Sequence, residues 1–178
     1  MGPYLGLALN NGYANATLYA AIEGMSREAF TAPRPGFFGS LAATLNHIHE
    51  VDLYYIDAVE EGGLGHKVFA RDRETDPVAL ARAVARADER LVAVCHGLDA
   101  ERLSRRVAIE IEGGFIHETV GDILLHLFQH QIHHRGQAHV QVQESGIAPP
   151  QLDDFFLEHY RTPIATRFAA RLNGGEAR

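Results

Sequence analysis

ILLHLFQHQIHHRGQA (Ile123–Ala138) holds four of the chain's eleven histidines: His126, His130, His133 and His134. It contains no proline and one glycine, and residues of good helix propensity dominate, so it reads as helix. At about 100° per residue, Val120, Ile123, Leu127 and Ala138 form an apolar stripe. His130 and His134 fall within that stripe, with His134 near its middle, whereas His133 lies roughly 120° away and His126 sits at the edge. Two imidazoles one turn apart on a core-facing stripe are either a metal pair or hydrogen-bonded core.

Helices account for most of the remaining chain. Upstream, Leu5–Gly24 carries Leu9, Tyr13, Ala16 and Ala20 at helical spacing. Ser26–Phe30 reads as a short turn, and APRPGFFG (Ala32–Gly39) breaks the chain with two prolines and two glycines. Ser40 caps a second helix over about Leu41–Glu61, with the stripe Leu41, Leu45, Ile48, Tyr55 and Val59. Gly65–Thr75 reads as a loop. Asp76-Pro77 then provides a cap and a first-turn proline for a third helix, about Val78–Leu98. The period shifts to two at Val107, Ile109 and Ile111, and Gly113-Gly114 turns into Phe115-Ile116, a small hairpin. Thr119, with Asp122 three residues on, caps the fourth helix, which runs to about Ser145 before Gly146 and Pro149-Pro150. Asp153–Tyr160 and Pro163–Leu172 read as short helical pieces ahead of a polar tail. The expectation is a single all-α domain over residues 1–178: a four-helix bundle with a hairpin before the fourth helix.

Composition bounds the function. The 46% hydrophobic and 22% charged content suits a globular chain, and a formal charge of −7 disfavours nucleic acid as a partner. Apolar runs fall short of the ~18 residues of a membrane span. The first twenty residues lack a basic region ahead of an apolar core, so no signal peptide is read. Cys95, the only cysteine, permits no internal disulfide. The expectation is a soluble, cytoplasmic protein without membrane or nucleic-acid partners. The segment His130–His134 lacks the glutamate of HExxH, so a metalloprotease loses its base. Neither a phosphate-binding glycine motif nor GxSxG occurs, and the Glu-x-x-His of di-iron bundles is missing from the histidine helix.

HLFQHQIHHRGQ (His126–Gln137) resembles the signature of the DinB family (DinB/YfiT-like metalloenzymes). FFGSLAATLNHIHEVD (Phe37–Asp52) is similar to that family's second helix, Asn10–Leu18 to its first, and PPQLDDF (Pro149–Phe155) to the stretch after the signature. The resemblance implies an up-down-down-up four-helix bundle holding one divalent metal on three histidines, matched here by His47, His130 and His134, with water completing the site. Periodicity alone does not select His47, since it lies roughly 120° from the centre of its stripe and His49 lies closer. Zinc is the default ion for such a site, and nickel, iron or manganese fit the same donors.

Among relatives the resemblance implies thiol-dependent S-transferases and isomerases, in which the metal activates a low-molecular-weight thiol against an electrophilic small molecule. The alternatives are a non-catalytic metal-binding stress or damage-inducible protein, and a structural module whose histidines fill the core. A homodimer is also expected. Where relatives often carry a tryptophan after the position of Asp52, this chain has Leu53-Tyr54-Tyr55. Asp52 falls on an apolar stripe and needs a partner, with Arg135 one candidate and orientation of a ligating histidine the other role considered. Gly136 implies close approach of another backbone, and Gln137 is placed to bond nearby polar groups. His133 reads as a surface ring, with support of a ligating group the other role, and His126 as core-edge packing, with supplying or orienting a ligand the other role. His49, His66, His96, His117, His139 and His159 default to the surface, Tyr13, Tyr54 and Tyr55 to the core, and Cys95 to a buried apolar site.

Overall fold

In the computed structural model, residues 2–153 and 163–172 are described. Four long helices dominate: α1 (Pro3–Ala21), α3 (Leu41–Glu60), α4 (Pro77–His96) and α6 (Val120–Glu144). Shorter elements are α2 (Arg27–Thr31), a 3-10 turn over Gly65–Ala70, α5 (Ala100–Ser104), the strands β1 (Arg106–Ile111) and β2 (Gly114–Thr119), and α7 (Pro163–Leu172). The 3-10 turn lies in the expected Gly65–Thr75 loop, and α5 is unanticipated because five residues are too few to show a period. Of the expected helical piece Asp153–Tyr160, all but Asp153 lies outside the described residues, as do His159 and the polar tail.

The helix starts follow the side chains that cap them. Ser40, Asp76 and Thr119 each accept a hydrogen bond from the backbone N–H three residues on, a contact that stabilises a helix by about 1 kcal/mol. At α6 the Thr119 hydroxyl also donates to Asp122 Oδ2 at 2.6 Å, completing the local cap. In the antiparallel hairpin, Ile109 pairs with Ile116 and Val107 with Glu118. Val107 and Ile109 face the bundle and are buried, which is the period-two pattern of a half-covered ribbon.

Two apolar clusters form the core. One, toward the hairpin, gathers Ile56, Leu91, Val107, Ile109, Ile123 and Leu127. The other, toward α2 and α7, gathers Leu18, Ile22, Phe30, Leu41, Leu80 and Phe168. Between them each long helix contributes polar residues: Asn11 and Asn15 from α1, Asp52 from α3, Asp88 from α4, and Gln131 and Arg135 from α6. Arg135 donates to the Oδ1 atoms of Asn11 (2.5 Å) and Asn15 (2.8 Å). The same asparagines donate through Nδ2 to the Asp88 carboxylate at 2.8–3.1 Å. Cation and anion are thus joined through two amides instead of by direct contact. Among the described residues no helix is long and apolar enough to cross a membrane.

This layer corrects three expectations. Asp52 takes its hydrogen bond from Gln131 Nε2 at 2.9 Å, not from Arg135. Gly136 is exposed, and a Cβ built there meets nothing within 4 Å, so no backbone approaches it. The centre of the buried face of α6 belongs to Gln131 and Arg135, while His130 and His134 occupy its half-buried shoulder. A stripe drawn through apolar residues alone misses this, because the layer is polar and bonded largely within itself.

Candidate metal centre

α3 and α6 run antiparallel. Thr44 bonds Gln141, Asp52 bonds Gln131, and the Tyr55 ring packs on His126, so position rises on one helix as it falls on the other. That register sets His47 of α3 opposite His130 and His134, one turn apart on α6. The shoulder position of His47, unfavourable when judged against its own stripe, is the one that faces the neighbouring helix.

Ring centroids lie 5.0 Å apart for His47 and His130, 4.8 Å for His47 and His134, and 4.4 Å for His130 and His134. One ring nitrogen from each histidine can be chosen so that all three fall within 4.8 Å of one another. The Nε2 atoms of His47 and His130 stand 3.0 Å apart. A tetrahedral zinc with bonds of ~2.0–2.1 Å holds its nitrogens roughly 3.3 Å apart, so the spacing is of the right size. Among the described residues this is the one group of histidines, cysteines and carboxylates with a geometry that could hold a metal ion.

The electrostatics favour neutral rings at His130 and His47. Burial pushes the His130 pKa down to about 3, reinforced by His134, His47, His126 and His133. His47 is also lowered, by burial first and His134 second. Glu50 opposes this at His47, but its carboxylate is held by Arg73 in two bonds of 3.0 and 3.1 Å. His134 Nδ1 lies 2.8 Å from Gln137 Oε1. The amide oxygen can only accept, so Nδ1 carries the proton and Nε2 presents its lone pair to the cluster. Gln137 Nε2 in turn lies 3.1 Å from His133 Nε2, which makes exposed His133 a support for the amide. Nδ1 of His130 is buried without a partner. Three converging imidazoles, two of them facing through Nε2, suit a divalent ion better than they suit one another.

The PRPGFF segment closes one side. Phe38 lies 4.2 Å from the His47 ring and 5.3 Å from the His134 ring. Its loop is tied by the Pro33–Ser40 bridge and by Gln141, which donates to Pro35 O at 3.2 Å and accepts from Thr44 at 2.8 Å. Gly36 has φ +135°, and a Cβ there would sit 2.8 Å from Gln141 Nε2, so glycine is required. Phe38 and Gln141 escaped the sequence reading; the Gly-Phe-Phe-Gly spacing was the available signal.

Other candidates fall outside the cluster. Asp52 bonds none of the three histidines. His126 is exposed, its ring 6.4 Å from His130 and 5.1 Å from Tyr55. His49 is buried, not superficial, with its pKa pushed down to about 4 by burial and by Arg71 and Arg86. His139 is half-buried against Pro150 O at 3.0 Å, and His66 stacks on Tyr54. Cys95 is buried, its thiol pushed up to about 12 by burial, so it supplies no thiolate at neutral pH.

Comparison with known proteins agrees with this architecture. The family model described as "DinB family" matches residues 5–166. The fold is similar to that of a DinB-like protein from Bacillus subtilis, at 24% identity and a TM-score of 0.61, over 82% of this chain and 96% of that one. A DinB-like protein from Bacillus cereus ATCC 10987 is also similar, at 16% identity and a TM-score of 0.61, over 78% of this chain and 90% of that one. Comparison with curated proteins gives no match.

Proposed function

This chain belongs to the DinB family, and from that premise we propose that His47, His130 and His134 hold one divalent metal ion in a thiol-dependent S-transferase or isomerase. The observation that carries the reading is the convergence of three ring nitrogens, with Gln137 fixing the tautomer of His134. Zinc is the expected ion, since three neutral imidazoles leave the fourth position open to an exchangeable ligand. A divalent ion there supplies the Lewis acidity that lowers the pKa of a low-molecular-weight thiol.

The protein's own part is to disfavour protonation of His47 and His130, to hold the three rings on two helices joined by the Thr44–Gln141 and Asp52–Gln131 bonds, and to shield one side with Phe38. The thiol releases its proton to solvent, its sulfur forms a bond to an electrophilic carbon, and the leaving group departs with the bonding pair. The protein need not supply a nucleophile, which accords with the burial of Cys95.

Elemental analysis of untagged protein should find about one divalent metal per chain, and none in His134→Ala. Cobalt-substituted protein should change its visible absorption on adding a millimolar thiol. Metal-free wild type would sink the reading, and an unchanged cobalt spectrum would leave a metal-binding protein without thiol chemistry. Gln137→Ala should weaken metal affinity roughly 10- to 100-fold while leaving the fold intact.

A further inference from the structure

The α3–α6 seam continues beyond the three histidines. Residues four apart line it: His134, His130, His126 and Asp122 on α6, and His47, Val51 and Tyr55 on α3. His126 bridges the centre and the far end, with its ring 6.4 Å from His130 and 5.1 Å from Tyr55. There the hairpin folds over the seam and forms a cavity of about 320 Å³, within the range of small-molecule sites. Ile109, Ile111 and Ile116 of the hairpin and Ile123 of α6 supply its apolar wall.

Its charged groups are few and of one sign. Glu118 and Asp122 line it, and no lysine or arginine does. Asp122 is engaged by its helix cap. The Tyr55 hydroxyl and the His126 ring, both on the lining, make no hydrogen bond with any described residue. An apolar wall, two carboxylates and two free hydrogen-bonding groups describe a site for an uncharged or cationic amphiphile; an anion would meet like charge without a counter-ion.

We propose that this cavity docks the apolar body of the substrate, a neutral or cationic small molecule. One polar group bonds Tyr55 or His126, and the reacting end extends along the seam to the three histidines. The assignment rests on the metal-centre reading for its role, but not for the existence of the binding site. Tyr55 and His126 are positioning residues in it.

The test uses the full chain with isoleucine methyl groups labelled for NMR, and three probes: benzyl alcohol, benzylamine and benzoate. The first two should saturably shift the methyls of Ile109, Ile111, Ile116 and Ile123, with benzoate at least about fivefold weaker. Tyr55→Phe should weaken benzyl alcohol roughly three- to tenfold. In manganese-loaded protein the bound benzyl alcohol protons should relax faster, and His134→Ala should remove that enhancement while keeping the methyl shifts. Absence of saturable shifts at these four methyls would overturn the docking site. Benzoate binding as tightly as benzylamine would overturn the ligand class. Shifts without relaxation enhancement in loaded protein would overturn the substrate role. Failure of the wild type to take up manganese and zinc alike would count against the metal centre instead, and the methyl shifts would still decide the docking site.

Discussion

On α6, His130 and His134 turn to the shoulder facing α3, while Gln131 and Arg135, one position on, turn into the middle of the bundle. Both pairs are polar and both meet side chains of other helices. They differ in what their polar atoms find. The donors of Arg135 end on two asparagines that pass their own donors to Asp88. At the histidines, His130 Nε2 faces His47 Nε2 at 3.0 Å, His130 Nδ1 ends on nothing, and His134 leans on Gln137 through Nδ1. A polar set that satisfies itself holds a fold together, whereas a set that converges unsatisfied is held by the fold for something else.

The largest expected effect separates the two directly. Arg135→Ala removes a buried cation and strands the oxygens of Asn11 and Asn15 beside Asp88. Unfolding free energy in urea should fall by about 3–5 kcal/mol, a large share of a typical domain's stability. His134→Ala in metal-free protein should lose less than about 1 kcal/mol while abolishing metal uptake. If the two variants were equally destabilised, the histidines would be structural and the contrast would collapse.

How much of this was legible in sequence follows from the same contrast. The caps Ser40, Asp76 and Thr119, the period-two hairpin and the four long helices all depend on local chemistry, and each stands where the sequence places it. The pair His130 and His134 was visible as i, i+4 spacing, but His47 needed the family resemblance, because the facing of two helices is not a local property. Asp52 needs a partner on sequence grounds and finds a buried hydrogen bond, from Gln131 instead of the candidate Arg135. Gln131 gives no periodic signal, and long-range amide pairing in a polar layer leaves none. Phe38 and Gln141 stayed hidden for the same reason: a loop's docking is written in its tertiary contacts.

A second, smaller effect lies in the pH dependence of stability, where the two sets carry opposite signs. Burial pushes the Asp88 pKa up to about 7, so the folded state holds a proton that the unfolded chain releases near its ordinary value of ~3.9. Stability from this group therefore falls as pH rises from about 4 to 7, by at most about 1.4 kcal/mol per unit. His130 is pushed down to about 3, so the unfolded chain binds the extra proton and stability falls as pH drops from about 6.5 toward 3. Urea titrations of metal-free protein should show the two. The stability of Asp88→Asn relative to wild type should climb with rising pH, and that of His130→Gln with falling pH. Slopes of the same sign would mean that one site had been misassigned.

The smallest expected effect tests whether the polar layer is as self-sufficient as it looks. Asp52 Oδ1 accepts from Gln131 Nε2, yet Asp52 Oδ2 and Gln131 Oε1 are both buried without partners. Two acceptors on the same two side chains share a remedy, a single proton on the carboxyl. Burial, and after it Asp88, holds the Asp52 pKa well above the usual carboxylate range, which favours that proton. With Asp52 protonated, the layer's remaining charges are Arg135 and, once pH rises past about 7, Asp88, and there they balance. Asp52→Asn replaces the acid by an amide of the same shape whose N–H₂ can serve Gln131 Oε1 permanently. Above the unfolded pKa the wild type must take up a proton on folding and the variant need not, so the variant's relative stability rises with pH. At pH 8 it should equal or exceed wild type by on the order of 1 kcal/mol in urea melts, with metal content unchanged. A loss of more than about 1 kcal/mol at pH 8 would mean that Asp52 is ionised and answers Arg135 across the layer, leaving two carboxylates to one guanidinium and a centre less balanced than its hydrogen bonds suggest.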